Sequence, residues 1–304
     1  MYYLGIDGGG TKTAFALSDA TGRILRTETL GPSNPIDIGL PASFDCLERG
    51  IRLVLQEIPT SDVSVFAGIA GGISGGNQEK LKDFFDRFGF FCVDNGSDAQ
   101  NMVKAGLGDE NGIAVIMGTG SVTFVQTESA LIRLGGYGYL FEEGGSGYTL
   151  GRDAIMAALA AEEGSGEATL LGDLLLESLQ ASSMTSALSK LYEGGKRLIA
   201  SFAPLVFDAY DKGDVVACHI LRNNAGAIAD AIRRARAKLP MAKYPVPVVL
   251  AGGLTAKASV FIPVIYEALT DSDAYRITVL DCPPVMGALM LAGATIKEEQ
   301  NDKN

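Results

Sequence analysis

The chain has 304 residues, of which 47% are hydrophobic and 20% charged, and its formal net charge is −11. This is the composition of a globular protein long enough for two domains, and its acidity argues against a nucleic-acid partner, because binding a phosphate backbone needs a positively charged face. No stretch has the length and apolarity of a membrane span, and Met1 leads directly into a strand-like segment without an export signal, so the sequence predicts a cytoplasmic protein without a membrane partner.

The first part of the chain alternates predicted strands with predicted helices. Three short strands separated by glycine turns come first, and they predict an antiparallel meander. The predicted strands are residues 2–6, 13–18, 24–29, 63–69, 90–93 and 112–117, and the predicted helices are residues 44–58, 78–88 and 98–106. A meander followed by alternating helices and strands is typical of a mixed sheet with helices on its faces.

The two halves of the chain begin with similar glycine hairpins. Residues 4–11 and 115–121 each enter on apolar strand residues and turn through glycines. The sequence therefore indicates a duplicated chain of two mixed α/β domains, residues 1–114 and 115–284, with a C-terminal helix at residues 285–298 joining the first. The other elements predicted in the second half are helices at residues 150–162, 170–179, 196–210, 215–239 and 259–269, strands at residues 246–251 and 276–280, and a last helix from Pro284.

Residues 7–13 read Asp-Gly-Gly-Gly-Thr-Lys-Thr and are the most informative stretch of the sequence. Glycines allow a backbone to approach a phosphate and to turn its N–H groups toward it, and threonine hydroxyls add donors. The order of residues fits neither a Walker A loop, because a threonine separates the last glycine from the lysine, nor a Rossmann loop, because a strand follows. The predicted phosphate-binding residues are Gly9, Gly10, Thr11, Lys12 and Thr13, and a plain glycine-rich hairpin is the alternative.

Three further features extend this predicted phosphate site. A carboxylate beside bound phosphate is where Mg²⁺ is held through water. A Gly-Thr-Gly turn repeats the glycine pattern at the start of the second half, and a Gly-Gly pair ends a buried strand at a strand-to-helix junction, where open α/β sheets bind ligands. For the Gly-Gly pair, a simple tight turn is the alternative. The candidate residues are Asp7 for magnesium, Gly118, Thr119 and Gly120 for phosphate, and Gly252 and Gly253 for adenosine.

Four short motifs complete the pattern. They are Ser33-Asn34-Pro35-Ile36-Asp37-Ile38-Gly39, Ser97-Asp98-Ala99, Gly118-Thr119-Gly120-Ser121, and Gly135-Gly136-Tyr137-Gly138 running into Glu142-Glu143-Gly144-Gly145-Ser146. With the glycine hairpins they resemble the N-acetylglucosamine kinase and BadF/BadG/BcrA/BcrD ATPase family of the actin, hexokinase and Hsp70 superfamily, from about residue 3 to residue 293. The resemblance implies two actin-like, ribonuclease H-like domains, each a mixed sheet flanked by helices, around a cleft that binds ATP and Mg²⁺.

The resemblance also assigns roles to residues in these motifs. It makes Asp98 the catalytic base that accepts the proton of a sugar hydroxyl. Ser97 stands where the family has asparagine, so a helix N-cap at Ser97 or Asp98 is the alternative, and Asp94 is a second candidate base. The sugar-binding residues that the resemblance implies are Asn34, Asp98, Ser121, Tyr137 and Glu143.

Two departures from the family pattern fall among these sugar-binding residues. Tyr137 stands where sugar kinases of the family commonly have tryptophan, and Glu142-Glu143-Gly144 replaces Gly-Asp-Glu. A glutamate at position 143 is one methylene longer than aspartate and would reshape the pocket. A solvated acidic turn is the alternative interpretation of Glu142 and Glu143.

The function that the resemblance implies is ATP-dependent phosphorylation of an amino sugar. The first choice of acceptor is the 6-hydroxyl of N-acetylglucosamine, and glucosamine and N-acetylmuramic acid are the alternatives that the sequence does not separate. The expected partners are ATP and a small sugar, the expected cofactor is Mg²⁺, and the resemblance is compatible with a homodimer.

Two functions of other classes stay open. An ATPase that drives electron transfer from an iron–sulfur cluster to a dehydratase needs cysteines presented together at a subunit interface, and the four cysteines have no suggestive spacing. A sugar-sensing regulator would need a DNA-binding helix-turn-helix and a basic face, which the sequence does not predict.

Overall fold

A computed structural model describes residues 1–142, 144–240 and 245–295 of the chain. The chain divides into two compact units, Met1–Asp109 with the C-terminal segment from Leu280, and Glu110–Val279. Each unit contains one mixed, five-stranded sheet flanked by helices. This architecture confirms the predicted fold class.

The first unit places its sheet between helices. Its strands are β1 (Tyr2–Gly8), β2 (Thr13–Asp19), β3 (Ile24–Leu30), β4 (Val63–Ile69) and β5 (Cys92–Gly96). Its first helices are α1 (Pro35–Ile38), α2 (Leu40–Leu55), α3 (Asn77–Asp86) and α4 (Asp98–Leu107). The strand order is β3-β2-β1-β4-β5, in which the antiparallel meander β1–β3 continues into β4 and β5, parallel to β1.

Close packing of α2 on the sheet explains why this unit needs glycine at one helix position. Leu4 and Ile6 of β1 are fully buried in the core that Leu47 of α2 also joins. A methyl group added at Gly50 of α2 would lie 2.1 Å from the ring of Phe15 in β2. The helix therefore lies directly on the sheet, with an aromatic ring in the space that a side chain would fill.

The second unit repeats the strand order of the first. Its strands are β6 (Gly112–Met117), β7 (Ser121–Gln126), β8 (Leu131–Gly135), β9 (Val246–Ala251) and β10 (Tyr275–Val279). Its helices are α5 (Gly147–Glu162), α6 (Leu171–Leu179), α7 (Met184–Ser201), α8 (Ala203–Asp211), α9 (Val215–Arg236) and α10 (Ala258–Ala268). The order β8-β7-β6-β9-β10 again joins a meander to two parallel strands, as a duplicated chain predicts.

One predicted element of the second half is wrong. The helix expected at residues 196–210 is two helices, because α7 begins already at Met184, ends at Ser201, and is followed by α8 with Pro204 in its first turn. Proline is favoured in a first turn, where its missing N–H has no helical partner to lose. The predicted strands also do not include β8, a five-residue strand with three apolar residues, of which Ile132 and Leu134 are half-buried against the core.

The chain returns to the first unit with α11 (Pro284–Leu291). A methyl group at Gly5 of β1 would lie 2.6 Å from the backbone nitrogen of Leu289 in this helix. The helix expected at residues 285–298 is too long, because α11 ends at Leu291 and Gly293 has a φ of +107°. Residues 296–298 lie outside the described residues. Within the described part of the chain, no helix is both long and apolar enough to cross a membrane.

Candidate active site

The carboxyl ends of three parallel strands meet at one edge of the first sheet. β1 pairs with β4 so that Gly8 lies beside Ile69, and β4 pairs with β5 so that Gly68 lies beside Gly96. The loop after β1 contains the predicted phosphate residues, and α4, which begins with Asp98, follows β5. The topology therefore brings the phosphate loop and the candidate base to the same edge.

Several N–H groups of the loop after β1 are left without a partner. The Gly9 N–H donates to the carbonyl of Lys12 at 2.9 Å, and the Gly9 carbonyl accepts from the N–H of Ser33 at 3.0 Å. In the parts of the chain that the structure describes, no hydrogen bond uses the N–H groups of Gly10, Thr11 and Lys12. Successive N–H groups of this kind are the donor set of an anion-binding nest.

Thr13, which ends the predicted phosphate loop, uses its hydroxyl in hydrogen bonds within the protein. Thr13 is fully buried, and its hydroxyl lies 2.9 Å from the carbonyl of Gly31 and 2.8 Å from the hydroxyl of Ser33. The side chains of Thr11 and Lys12 are exposed beside it. Thr13 therefore ties the loop to the end of β3, and the exposed side chains are the ones available to a ligand.

Asn34 lies next to the phosphate loop and caps a short helix. Its N–H donates to the Gly9 carbonyl at 3.3 Å, its side-chain oxygen accepts from the Ile36 N–H at 3.0 Å, and its amide group donates to Asp37 at 3.0 Å. A methyl group at Gly71 would lie 2.4 Å from the Asn34 oxygen. The side chain is thus held in one orientation against a residue without a side chain.

Ser97 and Asp98 occupy different positions at the start of α4. Ser97 is the N-cap of α4, with the Gln100 side chain accepting from its N–H at 2.9 Å, and Asp98 is the first helical residue. Burial and the nearby charge of Asp7 raise the pKa of Asp98 to about 6. Asp94, the second candidate base, is exposed on β5. A carboxylate with a raised pKa near a ligand edge has the property of a general base, so the geometry favours Asp98 over Asp94.

Asn101, three residues after Asp98, is a site residue that the sequence did not predict. It is fully buried, and its amide nitrogen lies 2.7 Å from the Asp7 carboxylate, 3.1 Å from the Gly68 carbonyl and 3.3 Å from the Ile6 carbonyl. Burial raises the pKa of Asp7, and the hydrogen bond from Asn101 works against that rise. The three acceptors fix the amide orientation, so Asn101 orients the Asp7 carboxylate.

The second glycine hairpin, between β6 and β7, accepts hydrogen bonds from the first turn of α5. The Gly118 N–H donates to the Gly120 carbonyl at 2.9 Å, while Gly147 donates to the Gly118 carbonyl at 2.8 Å and Tyr148 to the Thr119 carbonyl at 3.0 Å. No hydrogen bond among the described residues uses the N–H groups of Thr119 and Gly120. This hairpin therefore also presents unpaired donors to an anion.

Glu142 is the second site residue that sequence reasoning missed. Its carboxylate accepts from the Ser121 N–H at 2.7 Å and from the Ser146 hydroxyl at 2.7 Å. A methyl group at Gly120 would lie 2.6 Å from the same carboxylate. Glu142 therefore links the exit of the glycine hairpin to the N-cap of α5, and the interpretation of this residue as a solvated acidic turn is wrong.

We expect Glu142→Gln to lower stability by about 1–2 kcal/mol, because a neutral amide replaces the carboxylate as the acceptor of two charge-assisted hydrogen bonds. Thermal unfolding with a probe of the second unit measures the effect. The matched control is Glu128→Gln in the exposed turn between β7 and β8. Equal melting temperatures for the two variants would show that the two hydrogen bonds of Glu142 contribute nothing.

The Gly252-Gly253 pair lies beside the second glycine hairpin. β9 runs parallel to β6 with Ala251 beside Ile116, so both strands end at the same edge. Gly252 has a φ of +96°, and a methyl group there would lie 2.5 Å from the Met117 carbonyl oxygen. Gly253 meets no atom within 4 Å. The structure therefore brings the predicted adenosine residues next to the predicted phosphate residues of this unit.

Two of the implied sugar residues line one cavity of the second unit. Ser121 and Tyr137 border a cavity of about 330 Å³, together with Glu142 and residues of α9 such as Ala231. Tyr137 is 73% exposed, so its ring is available for contact. Glu143 lies outside the described residues, and its predicted role stays a prediction.

Close packing explains the glycine at position 144, which departs from the family pattern. A methyl group at Gly144 would lie 2.7 Å from the side chain of Ala227 in α9. At Gly145, with a φ of +79°, it would lie 2.2 Å from the side chain of Ile228. The Gly145 N–H also donates to Asn224 of α9 at 2.9 Å. This segment is therefore seated directly on α9, which leaves no room for a side chain at either position.

Two sheets of the same strand order, each beginning with a glycine hairpin that presents unpaired N–H groups, define an actin-like ATPase fold. A model of the BadF/BadG/BcrA/BcrD ATPase family matches residues 4–292. The chain belongs to this family.

Individual relatives are similar along most of their length. The chain is 30% identical over 270 residues to the N-acetylmuramic acid/N-acetylglucosamine kinase of Clostridium acetobutylicum, covering 83% of this chain and 85% of that protein. It is 29% identical over 312 residues to the N-acetyl-D-glucosamine kinase of Dictyostelium discoideum, covering 95% and 97%. A solved structure from Chromobacterium violaceum, provisionally assigned as an N-acetylglucosamine kinase, has a TM-score of 0.74 at 25% identity, covering 96% of this chain and 98% of that chain.

Proposed function

We propose that the protein is an ATP-dependent amino-sugar kinase that phosphorylates the 6-hydroxyl of N-acetylglucosamine. The observation that carries the proposal is the edge of the first sheet, where a half-buried carboxylate of raised pKa, Asp98, lies with a loop of unpaired N–H groups. The relatives named as kinases of N-acetylglucosamine and N-acetylmuramic acid support the acceptor class. We further propose that the two units are the two domains of this kinase. We also propose that the enzyme acts in the cytoplasm and forms a homodimer.

The proposed mechanism is direct phosphoryl transfer, in which positioning and charge stabilisation supply most of the rate. Asp98 accepts the proton of the sugar hydroxyl as the oxygen attacks the γ-phosphorus of ATP. The N–H groups of Gly10 and Thr11, and likewise those of Thr119 and Gly120, are the proposed donors to phosphate oxygens. Asn34 and Tyr137 orient the sugar, and Gly252-Gly253 accommodates the adenosine.

The residues around Asp7 fit a magnesium ion. One oxygen of the Asp7 carboxylate accepts from Asn101 at 2.7 Å, and Asp7 lies near the end of β1, beside the loop that presents unpaired N–H groups. Mg²⁺ is commonly bound through one or two carboxylates, several waters and substrate phosphates, so a carboxylate beside the phosphate loop suits it. When bound, Mg²⁺ would neutralise phosphate charge, and Asp7 would hold it through water.

We expect the activity to fall as the pH drops through about 6, because a proton on Asp98 removes the base. The sign follows from the raised pKa: Asp98 is ionised and active above this pH and protonated and inactive below it. The measurement is the pH profile of kcat/KM for the sugar. An acid limb near pH 4, where an ordinary carboxylate titrates, would contradict the assignment.

An ADP-release assay with ATP, Mg²⁺ and a panel of amino sugars tests the function itself. The panel contains N-acetylglucosamine, glucosamine and N-acetylmuramic acid, and mass spectrometry of the product locates the new phosphate. N-acetylglucosamine 6-phosphate is the expected product. ADP release that no sugar stimulates, from a protein that contains iron, would instead favour the ATPase-activator function.

A further inference from the structure

A break in α7 places a lysine beside the second glycine hairpin. Gly195 has a φ of +55° and a ψ of −154° inside α7, so the helix consists of two segments. This combination of angles is open to glycine and costs other residues on the order of 1–3 kcal/mol. Lys196 is the first residue after the break, where the chain changes direction.

The segment after the break packs on the first turns of α5. A methyl group added at Gly151 of α5 would lie 1.8 Å from the Ile199 carbonyl oxygen, and one added at Gly147 would lie 3.2 Å from that of Ala200. Gly147 is also the residue whose N–H holds the Gly118 carbonyl at 2.8 Å. The segment that begins with Lys196 and the phosphate hairpin are therefore fixed to the same turn of α5.

Lys196 lines a cavity of about 230 Å³ whose wall includes Thr119, Gly120 and Ser121. The unpaired N–H groups of Thr119 and Gly120 belong to this hairpin. The cavity thus combines backbone donors with an ammonium group, which is the chemistry that binds a phosphoryl group.

The other charged groups of this cavity are already engaged. Arg133 donates to the carbonyls of Gly135 and Gly136 at the end of its own strand. Glu142 accepts from the Ser121 N–H and the Ser146 hydroxyl. Lys196, by contrast, is exposed and forms no hydrogen bond or ion pair with any residue that the structure describes.

We infer that Lys196 is a phosphate-binding residue, held beside the Thr119–Gly120 turn by the break at Gly195, and that it binds a phosphoryl group of the nucleotide. The inference rests on the proposed kinase function. It adds an ammonium group without a hydrogen-bond partner among the described residues to the neutral N–H donors of the hairpin itself. A phosphorylated sugar has the same chemistry, so the test includes both ligands.

The test measures binding of a non-hydrolysable ATP analogue and of N-acetylglucosamine 6-phosphate by calorimetry. Lys196→Met should weaken nucleotide binding by roughly 10- to 100-fold, the range expected when a charge-assisted hydrogen bond is lost. Lys196→Arg should retain most of the affinity. Gly195→Ala should weaken binding as Lys196→Met does, because it opposes the break. The matched control is Lys212→Met, an exposed lysine at the end of α8 that lines neither cavity.

Weaker binding of either ligand by Lys196→Met supports a phosphoryl site at this residue and shows which ligand uses it. If the wild type binds ATP and makes sugar phosphate, and Lys196→Met binds both ligands as tightly as the wild type does, the inference is overturned. The kinase function then remains. A wild-type protein that binds no nucleotide overturns both. Circular dichroism shows whether each variant is folded. If Gly195→Ala does not fold, the result for Lys196→Met decides the inference.

Discussion

Replacing the candidate base, Asp98→Asn, should lower kcat by on the order of 10²–10⁴-fold, the usual share of a general base. The amide has nearly the same shape as the carboxylate but cannot accept the proton of the sugar hydroxyl. Because Asp98 is not proposed to contact the nucleotide, ATP affinity should change little. Steady-state kinetics with ATP and the best amino-sugar substrate give both numbers.

Asp94→Asn is the matched control for this experiment. Asp94 is exposed on β5, four positions before Asp98, and should tolerate the change with near-normal turnover. Near-normal turnover of Asp98→Asn, or a large loss in Asp94→Asn, would remove Asp98 from the mechanism.

Stability provides an independent measurement on the same Asp98→Asn variant. The folded pKa of Asp98 is raised to about 6 from 3.8, so the ionised form destabilises the folded state above pH 6. The variant should therefore be more stable than wild type at pH 7.5 by up to about 3 kcal/mol, and this difference should vanish below pH 4. If the variant is inactive yet more stable than wild type, the loss of activity results from the missing carboxylate and not from unfolding.

The second large effect is expected at the Gly252-Gly253 pair. Gly252→Ala places a methyl group 2.5 Å from the Met117 carbonyl oxygen at a φ of +96°, so the end of β9 must move away from β6. The expected cost is roughly 3 kcal/mol or more, from an unfavourable φ together with a backbone clash. Thermal unfolding should show a melting temperature lowered by several degrees, and nucleotide affinity should fall with it.

Gly253→Ala separates ligand contact from stability. A methyl group at this position meets no atom within 4 Å, so the variant should be as stable as wild type. If adenosine lies against this turn, Gly253→Ala should still weaken nucleotide binding. Unchanged nucleotide binding in Gly253→Ala would show that adenosine does not contact this turn. Unchanged stability in Gly252→Ala would contradict the close contact between Gly252 and the Met117 carbonyl.

The sequence predicted the parts of the site that depend on local backbone chemistry. Glycine hairpins after apolar strands can be recognised in the sequence because glycine lets a backbone approach a ligand closely, and the strand β4 and the start of α4 at Asp98 follow from periodicity and capping. Parallel strands then bring these local features to one edge of each sheet. That step also follows from the predicted topology.

The parts that the sequence did not predict depend on contacts between distant residues. Glu142 binds the N–H of Ser121, and Asn101 binds Asp7 and the carbonyl of Gly68. Nothing in the local sequence distinguishes an acidic residue that faces a hairpin from one that faces water. For Asn101, the only available signal was a polar residue three positions after Asp98, on a helix face that also packs against the sheet.

The first unit is interrupted in sequence by the second, and this has a consequence for synthesis of the chain. α11 covers β1 at Gly5 and approaches α4 so closely that a methyl group at Gly287 would lie 2.0 Å from the Asn101 carbonyl oxygen. The ribosome therefore completes the second unit before the helix that supports the strand and helix of Asp7 and Asp98 has emerged. A premature stop codon just before Pro284 would spare every proposed ligand-binding residue and still leave the unit that carries the base without its cover.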